Sequence, residues 1–118
     1  MPRAVDGTRR KDRRKNILNQ AKGYWGRRSK LFRTAKDAVA KADLYAYRDR
    51  RTKKREFRAL WITRISAGLT DHDINYSRFM HGLDKAGIEI NRKALSNMAI
   101  EDPVAFTSIV NTAKNALK

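Results

Sequence analysis

The spacing of apolar residues along the chain predicts helices throughout. Residues 9–21 form the first amphipathic segment, and Gly23 is expected to end it. Ser29, after the glycine-containing turn at residues 23–26, is expected to cap a second helix. Apolar and polar residues alternate as in a strand only over residues 88–90, which is too short to predict a sheet. An all-α fold is therefore expected.

One long helix is predicted after that turn, because residues 27–67 contain neither Gly nor Pro and are rich in Ala, Arg, Lys and Leu. At 1.5 Å per residue, about forty residues would span roughly 60 Å. Its middle, Arg48 to Glu56, has no apolar side chain. We expect no protein core to cover that part of the helix. Apolar stripes before and after it comprise Leu31, Ala35, Ala38, Ala42 and Tyr45, and then Phe57, Trp61, Ile65 and Leu69.

Three short amphipathic helices are predicted after residue 73. Asn75 and Asn91 are expected to cap the first two, and Asp102 followed by Pro103 is a favoured start for the third. Residues 59–118 are therefore expected to form a small helical domain. The apolar faces comprise Phe79, Met80, Leu83 and Ala86, then Leu95, Met98 and Ala99, and finally Val104, Phe106, Ile109, Val110, Ala113 and Leu117.

Charge is divided unevenly along the chain. The 118 residues include 28 Lys and Arg against 12 Asp and Glu, a net charge of +16. Of these, residues 1–58 hold 21 basic and 6 acidic residues, whereas residues 59–118 hold 7 and 6. Cations concentrated in one half indicate a polyanionic partner for that half. We therefore expect residues 1–58 to be a basic binding extension, with an extended arm, a short helix and most of the long helix, and residues 59–118 to be a globular domain.

Several protein classes are disfavoured. The chain has no Cys, so neither disulfides nor thiolate metal sites are available. Residues 1–15 lack the apolar run of a secretory signal, and no segment approaches the roughly 20 apolar residues of a membrane span. Three consecutive residues such as Asp71, His72 and Asp73 rarely converge on one metal ion. Neither His72 nor His81 has a neighbouring nucleophile or paired acid. A cytoplasmic protein that is not an enzyme is expected, with no cofactor, metal or membrane partner.

The strongest candidate binding segment is the basic run in the middle of the long helix. At 100° per residue its cations spread nearly all round the helix, whereas an amphipathic membrane helix keeps them to one side. Like-charge pairs such as Arg50 and Lys54 destabilise the isolated helix by about 0.2–0.5 kcal/mol each. Compact RNA offers phosphates on several sides, and a DNA duplex offers mainly one surface. The pattern favours structured RNA, with a solvated helix face as the alternative. The cations are Arg48, Arg50, Arg51, Lys53, Lys54, Arg55 and Arg58.

A second candidate binding segment surrounds the turn at residues 23–26. Its glycines allow close approach of a ligand to the backbone, and two adjacent aromatic residues can stack on unpaired bases or on sugars. The alternative is that Tyr24 and Trp25 pack against neighbouring helices. The candidate RNA-binding residues here are Lys22, Tyr24, Trp25, Arg27, Arg28, Lys30 and, in the following helix, Arg33.

Further candidate contacts lie towards the two ends of the chain. The arm buries too little apolar surface to order itself, and we expect it to fold on binding RNA. In the predicted globular domain, Arg78 and Lys85 are seven residues apart and share a helix face; ordinary surface charge is the alternative. The arm's candidate cations are Arg3, Arg9, Arg10, Arg13, Arg14 and Lys15.

Several motifs resemble the L-twenty family of bacterial large-subunit ribosomal proteins, and the resemblance covers essentially the whole chain. The motifs are Met1-Pro2-Arg3, Lys22-Gly23-Tyr24, Gly26-Arg27-Arg28-Ser29-Lys30, Tyr45-Ala46-Tyr47-Arg48-Asp49-Arg50-Arg51, Lys54-Arg55-Glu56-Phe57-Arg58, Leu60-Trp61-Ile62, Tyr76-Ser77-Arg78-Phe79, Gly82-Leu83 and Ala86-Gly87-Ile88.

The resemblance implies a structural protein of the cytoplasmic ribosome. It implies direct binding of the arm and long helix to large-subunit (23S-type) rRNA, a C-terminal domain that also touches RNA, and a role early in subunit assembly. It implies neighbouring large-subunit ribosomal proteins as partners and no homo-oligomer, and some members of the family repress their own mRNA. Asp6 and Asp12 depart from the family pattern, which puts the approach of residues 9–15 to phosphates in doubt. The competing prediction is a DNA-binding, chromosome-organising protein, although a recognition helix would carry its own cations.

Overall fold

The computed structural model describes residues 7–118, and over this range the protein is all-α, as predicted. No strand occurs in this range. The chain divides into two compact units, one ending at Arg51 and the other beginning at Thr52, and the longest helix contributes to both. Arg3 lies outside the described residues. The α-helices are α1 (Thr8–Gln20), α2 (Phe32–Leu69), α3 (Tyr76–Ala86), α4 (Arg92–Glu101) and α5 (Pro103–Ala116), with 3-10 helices at Gly26–Ser29 and Thr70–His72.

The first unit is held together by a small apolar cluster between α1 and α2. Ala21, Ala35 and Val39 are buried, and the predicted face of α1, including Ile17 and Leu18, packs against them. A core of Ala and Val side chains buries little apolar area, so it contributes modest stability. The cluster thus packs the apolar face of α1 against α2 and leaves the basic residues of α1 exposed.

Two expectations for the start of the long helix are wrong. Ser29 does not cap it, because the Ser29 hydroxyl donates to the Gly26 carbonyl oxygen at 3.0 Å within the preceding 3-10 helix. The amide of Ala35 donates to the carbonyl of Leu31 at 2.8 Å, so the α-helical bonds begin there. Leu31 was also expected in the apolar stripe, yet its side chain is 49% exposed. The buried face instead follows Ala35 and Val39, four residues apart on the helix.

The second unit has a continuous apolar core from the end of α2 and from α3, α4 and α5. The caps are as predicted: side-chain oxygens of Asn75, Asn91 and Asp102 accept from the amides three residues later. Each cap satisfies a backbone N–H that the helix itself cannot pair, which fixes where the helix begins. The buried residues of the core are Ile65, Leu69, Phe79, Leu83, Leu95, Phe106, Val110 and Ala113.

The segment between α3 and α4 is a loop, and its two isoleucines pack on the core. Gly87 takes a left-handed conformation (φ 70°) that few other residues adopt, and the Ile88 amide then donates to the Leu83 carbonyl at 3.0 Å. Ile88 and Ile90 are thereby placed against the core. Val104 was expected on the buried face of α5 but is 81% exposed. It lies two residues, about 200°, from the buried Phe106, on the opposite side of the helix.

Candidate nucleic-acid interface

Every described cation that the sequence singled out for RNA binding is exposed to solvent. None of these side chains is used by either core, so their charges are available to a partner. A solvent-facing set of cations of this kind is attracted to a polyanion. The set comprises Arg9, Arg10, Arg13, Arg14, Lys15, Lys22, Arg27, Arg28, Lys30, Arg33, Arg48, Arg50, Arg51, Lys53, Lys54, Arg55, Arg58, Arg78 and Lys85.

An ion pair modifies one end of the basic run of α2. Arg48 Nε donates to Asp49 Oδ1 at 2.9 Å, and both side chains are well exposed. The hydrogen bond with Asp49, followed by its charge, raises the pKa of Arg48 above its ordinary value. A phosphate approaching Arg48 must compete with this carboxylate, so Arg48 is a weaker candidate contact than its neighbours.

Exposed tyrosines alternate with the cations of the first unit. The guanidinium of Arg51 lies 4.0 Å from the centre of the Tyr47 ring, and that of Arg48 lies 4.8 Å from the centre of the Tyr45 ring. Such cation–π contacts restrain long side chains while leaving the charge accessible. In the second unit, the Lys53 ammonium lies 5.9 Å from the Phe57 ring. The cations are thus held partly ordered before any partner arrives.

The two adjacent aromatic residues of the turn have different environments. Tyr24 is half-buried against the cluster of the first unit, as the packing alternative predicted for it. Trp25 is 92% exposed, so that alternative fails for Trp25. Gly23 and Gly26 both have positive φ, 86° and 62°, and these left-handed positions turn the chain so that Trp25 projects from the fold. A stacking role is therefore open to Trp25 in particular.

An open groove of about 790 Å³ lies beside Trp25 in the first unit. The turn contributes Tyr24, Trp25 and Arg28, and one face of α2 forms the rest. The sequence pointed to Tyr24, Trp25 and Arg28 as contacts and placed Ala38 and Ala42 in an apolar stripe, but it did not single out Asp37 or Lys41. These two residues are four apart and each precedes a residue of that stripe, which is the signal that could have found them. The α2 residues are Thr34, Asp37, Ala38, Lys41, Ala42 and Tyr45.

A smaller basic pocket of about 240 Å³ lies in the second unit. Arg78 lines it with Lys114 and Lys118, next to Asp73. The sequence paired Arg78 with Lys85 instead, because both lie on α3; Lys85 is exposed but does not line this pocket. Lys114 and Lys118 were missed, since only the packing of α5 against α3 brings them near Arg78.

Within residues 7–118 no three His, Asp or Glu side chains are grouped so as to hold a metal ion. The His72 ring instead lies beside the Phe106 ring at a tilt of 59°, with the ring centres 6.3 Å apart. In the same range, none of the helices combines the length and the apolar character needed to cross a membrane.

A basic, solvent-facing first half and a small apolar core in the second half are typical of the class of nucleic-acid-binding helical proteins. Comparison with known proteins is more specific. Residues 3–109 match the family model described as ribosomal protein L20. The chain is 58% identical over 118 residues to the large ribosomal subunit protein bL20 of Oceanobacillus iheyensis, covering all of both chains. It is 56% identical over 118 residues, again all of both, to bL20 of Parvibaculum lavamentivorans. For bL20 of Ralstonia nicotianae the identity is 57% over 114 residues, 97% of each chain.

The chain therefore belongs to the ribosomal protein L20 family. The resemblance noted from its motifs is confirmed. Membership also confirms that the protein is a structural constituent of the cytoplasmic ribosome and not an enzyme. It favours the ribosomal prediction over the chromosome-organising alternative.

Proposed function

We propose that this protein binds large-subunit, 23S-type rRNA directly through residues 1–58 and promotes an early step of large-subunit assembly. The observation that carries the proposal is that every predicted cation in the described part of this segment is exposed to solvent. The relatives are named as proteins of the large ribosomal subunit, which supports large-subunit rRNA as the polyanion.

The mechanism follows from counterion release. Each phosphate neutralised by Lys or Arg releases condensed cations into solution, a gain in entropy that grows as salt is diluted. Where RNA strands approach each other, phosphates repel, and cations distributed round one helix such as α2 reduce that repulsion on several sides. By reducing this repulsion the protein lowers the free-energy cost of compacting the RNA. It is therefore needed early, while the RNA is being compacted.

The second unit adds a smaller contact. Arg78, Lys114 and Lys118 around one pocket offer three positive charges to a phosphate group. Lys85 is a further exposed candidate on α3. Neighbouring large-subunit proteins are expected partners, and repression of the protein's own mRNA would use the same surfaces if that mRNA folds like the ribosomal site.

The proposal is tested by binding of the full chain to large-subunit rRNA fragments and to duplex DNA of matched length across a salt series. Preference for one rRNA fragment that persists as salt rises supports it, because shape matching survives screening and non-specific attraction does not. Equal binding to both polymers at every salt concentration contradicts it. Early assembly is tested by depleting the protein in cells: accumulation of a precursor that lacks late-binding proteins is expected, and normal subunits in depleted cells would contradict the assembly role.

A further inference from the structure

The groove beside Trp25 has the features of a nucleobase site and not of a phosphate site alone. Trp25, 92% exposed, lines it from the turn, and Tyr45, 46% exposed, lines it from α2, where Lys41 Nζ and Arg48 Cζ lie 5.1 Å and 4.8 Å from the centre of the Tyr45 ring. Ala38 and Ala42 line it with small side chains between the longer ones, which leaves room for a flat ring. Aromatic faces stack on any unpaired base.

The charges around the groove divide into two kinds. Two exposed cations line the groove from different elements: Arg28 from the 3-10 helix Gly26–Ser29, and Lys41 from α2. Asp37 is an acid among them, and a carboxylate repels phosphate but accepts hydrogen bonds from donors on a base edge. The negative charge of Asp37 weakens the attraction of this surface for phosphate. Its presence is explained if its carboxylate accepts hydrogen bonds from donors on a base.

We propose that this groove holds one unpaired guanine nucleotide of the bound RNA, with its base stacked on Trp25 and its Watson–Crick edge towards Asp37. The inference rests on the proposed function, since it names a subsite within the same RNA interface. Guanine carries two adjacent donors on that edge, the N1–H and the exocyclic N2 amine, and a carboxylate accepts both at once. Adenine presents an acceptor at N1, which a carboxylate disfavours. Arg28 and Lys41 then neutralise the flanking phosphates.

The chain allows a direct spectroscopic test. It contains two Trp residues, and Trp61→Phe leaves Trp25 as the single tryptophan, whose emission can be excited apart from that of the tyrosines. In that background, uridine heptanucleotides with a central guanosine, inosine or adenosine are titrated while Trp25 emission is followed. We expect guanosine to quench Trp25 at concentrations about tenfold lower than adenosine, as one bidentate pair implies, with inosine between them because it lacks the N2 amine.

Two acidic residues of α2 give matched variants. Asp37→Asn is expected to abolish the preference for guanosine over adenosine, since the amide no longer accepts both donors. Asp43→Asn removes the same charge from an exposed residue of the same helix that does not line the groove, and the preference should remain. Trp25→Leu should weaken binding of labelled guanosine heptamer by about tenfold, the usual loss for one stacked base.

The outcomes separate this inference from the proposed function. Binding of an rRNA fragment is measured on the same proteins. If the fragment binds tightly but the three heptamers quench Trp25 equally, or not at all, the guanine site is wrong and the rRNA proposal survives. A guanosine preference that Asp37→Asn and Asp43→Asn reduce alike also overturns the site, because only net charge would then matter. If no rRNA fragment binds in preference to duplex DNA, the proposed function itself fails.

Discussion

Gly82 of α3 lies directly against the backbone of Ala113 in α5. A β-carbon on Gly82 would come within 2.6 Å of the Ala113 carbonyl oxygen and 3.0 Å of its β-carbon. Real β-carbons do not approach backbone atoms so closely, so the two helices meet here only because Gly82 has no side chain. This contact sets the approach of α5 to α3, on which the core of the second unit depends.

Gly82→Ala is therefore expected to destabilise the second unit by about 1–3 kcal/mol, the usual cost of forcing extra atoms into a packed core. Helix propensity alone predicts the opposite sign, since Ala is about 1 kcal/mol better than Gly within a helix. Urea denaturation followed by circular dichroism measures the change. Asp84→Ala, at an exposed residue of the same helix, is the control. A higher free energy of unfolding for the Gly82→Ala variant than for the wild type would show that α3 and α5 can move apart without loss of stability.

Tyr76 and Arg92 join the first turns of α3 and α4. Arg92 Nε donates to the Tyr76 phenolic oxygen at 2.6 Å, and both residues are half-buried. Tyr76→Phe is expected to cost about 1 kcal/mol, because Arg92 loses a partner in a partly dry site. The double variant with Arg92→Leu isolates the interaction: Tyr76→Phe should cost little once Arg92 is gone. Additive losses would contradict a direct coupling.

Ser96 of α4 is fully buried, and within residues 7–118 its hydroxyl oxygen has no hydrogen-bond partner. A buried hydroxyl without a partner destabilises the native state, so Ser96→Ala should raise the free energy of unfolding by about 1 kcal/mol. Ser108→Ala, at an exposed position in the middle of α5, changes helix propensity alone and should gain less. Equal gains at the two positions would mean that the buried hydroxyl carries no penalty.

Asn91 caps α4 through its side-chain oxygen, 2.8 Å from the Ala94 amide nitrogen. Asn91→Ala leaves that amide unpaired and is expected to cost about 1 kcal/mol, whereas Asn91→Asp keeps an acceptor and should be nearly neutral. Thermal denaturation of the two variants checks this difference. The cap has no role if both variants melt alike.

Local chemistry explains which parts of this fold were predictable from the sequence. Caps such as Asn75 and Asp102 act on amides three residues away, so the chain itself specifies them. Ser29 is also a favoured cap residue, but it ends the 3-10 helix that begins at Gly26, and its hydroxyl donates back to the Gly26 carbonyl oxygen. Val104 is apolar and was therefore assigned to the buried face of α5. It lies about 200° round the helix from the buried Phe106, and helical periodicity measured from Phe106 would have placed it in solvent.

The binding surfaces were predictable to the extent that they depend on composition. A basic run without apolar residues has to be exposed, and Arg50, Arg51 and Lys54 are. Trp25 and Tyr24 are adjacent and equally aromatic, and only tertiary packing distinguishes the exposed residue from the half-buried one. Asp37 belongs to no motif, because only the fold places it in the same groove as Trp25 and Arg28.

The central claim, that the cations of residues 1–58 release counterions from rRNA, is tested most directly by the salt dependence of binding. The slope of log affinity against log salt is compared for the wild type, for Lys54 and Arg55 both changed to Ala, and for a control with Arg64 and Lys93, two exposed cations outside the proposed contacts, both changed to Ala. Each lost phosphate contact lowers the slope by about 1, so the first variant should lose about 2 and the control clearly less. Equal losses in the two variants would show that net charge, and not the basic run of α2, governs binding, and would contradict the account.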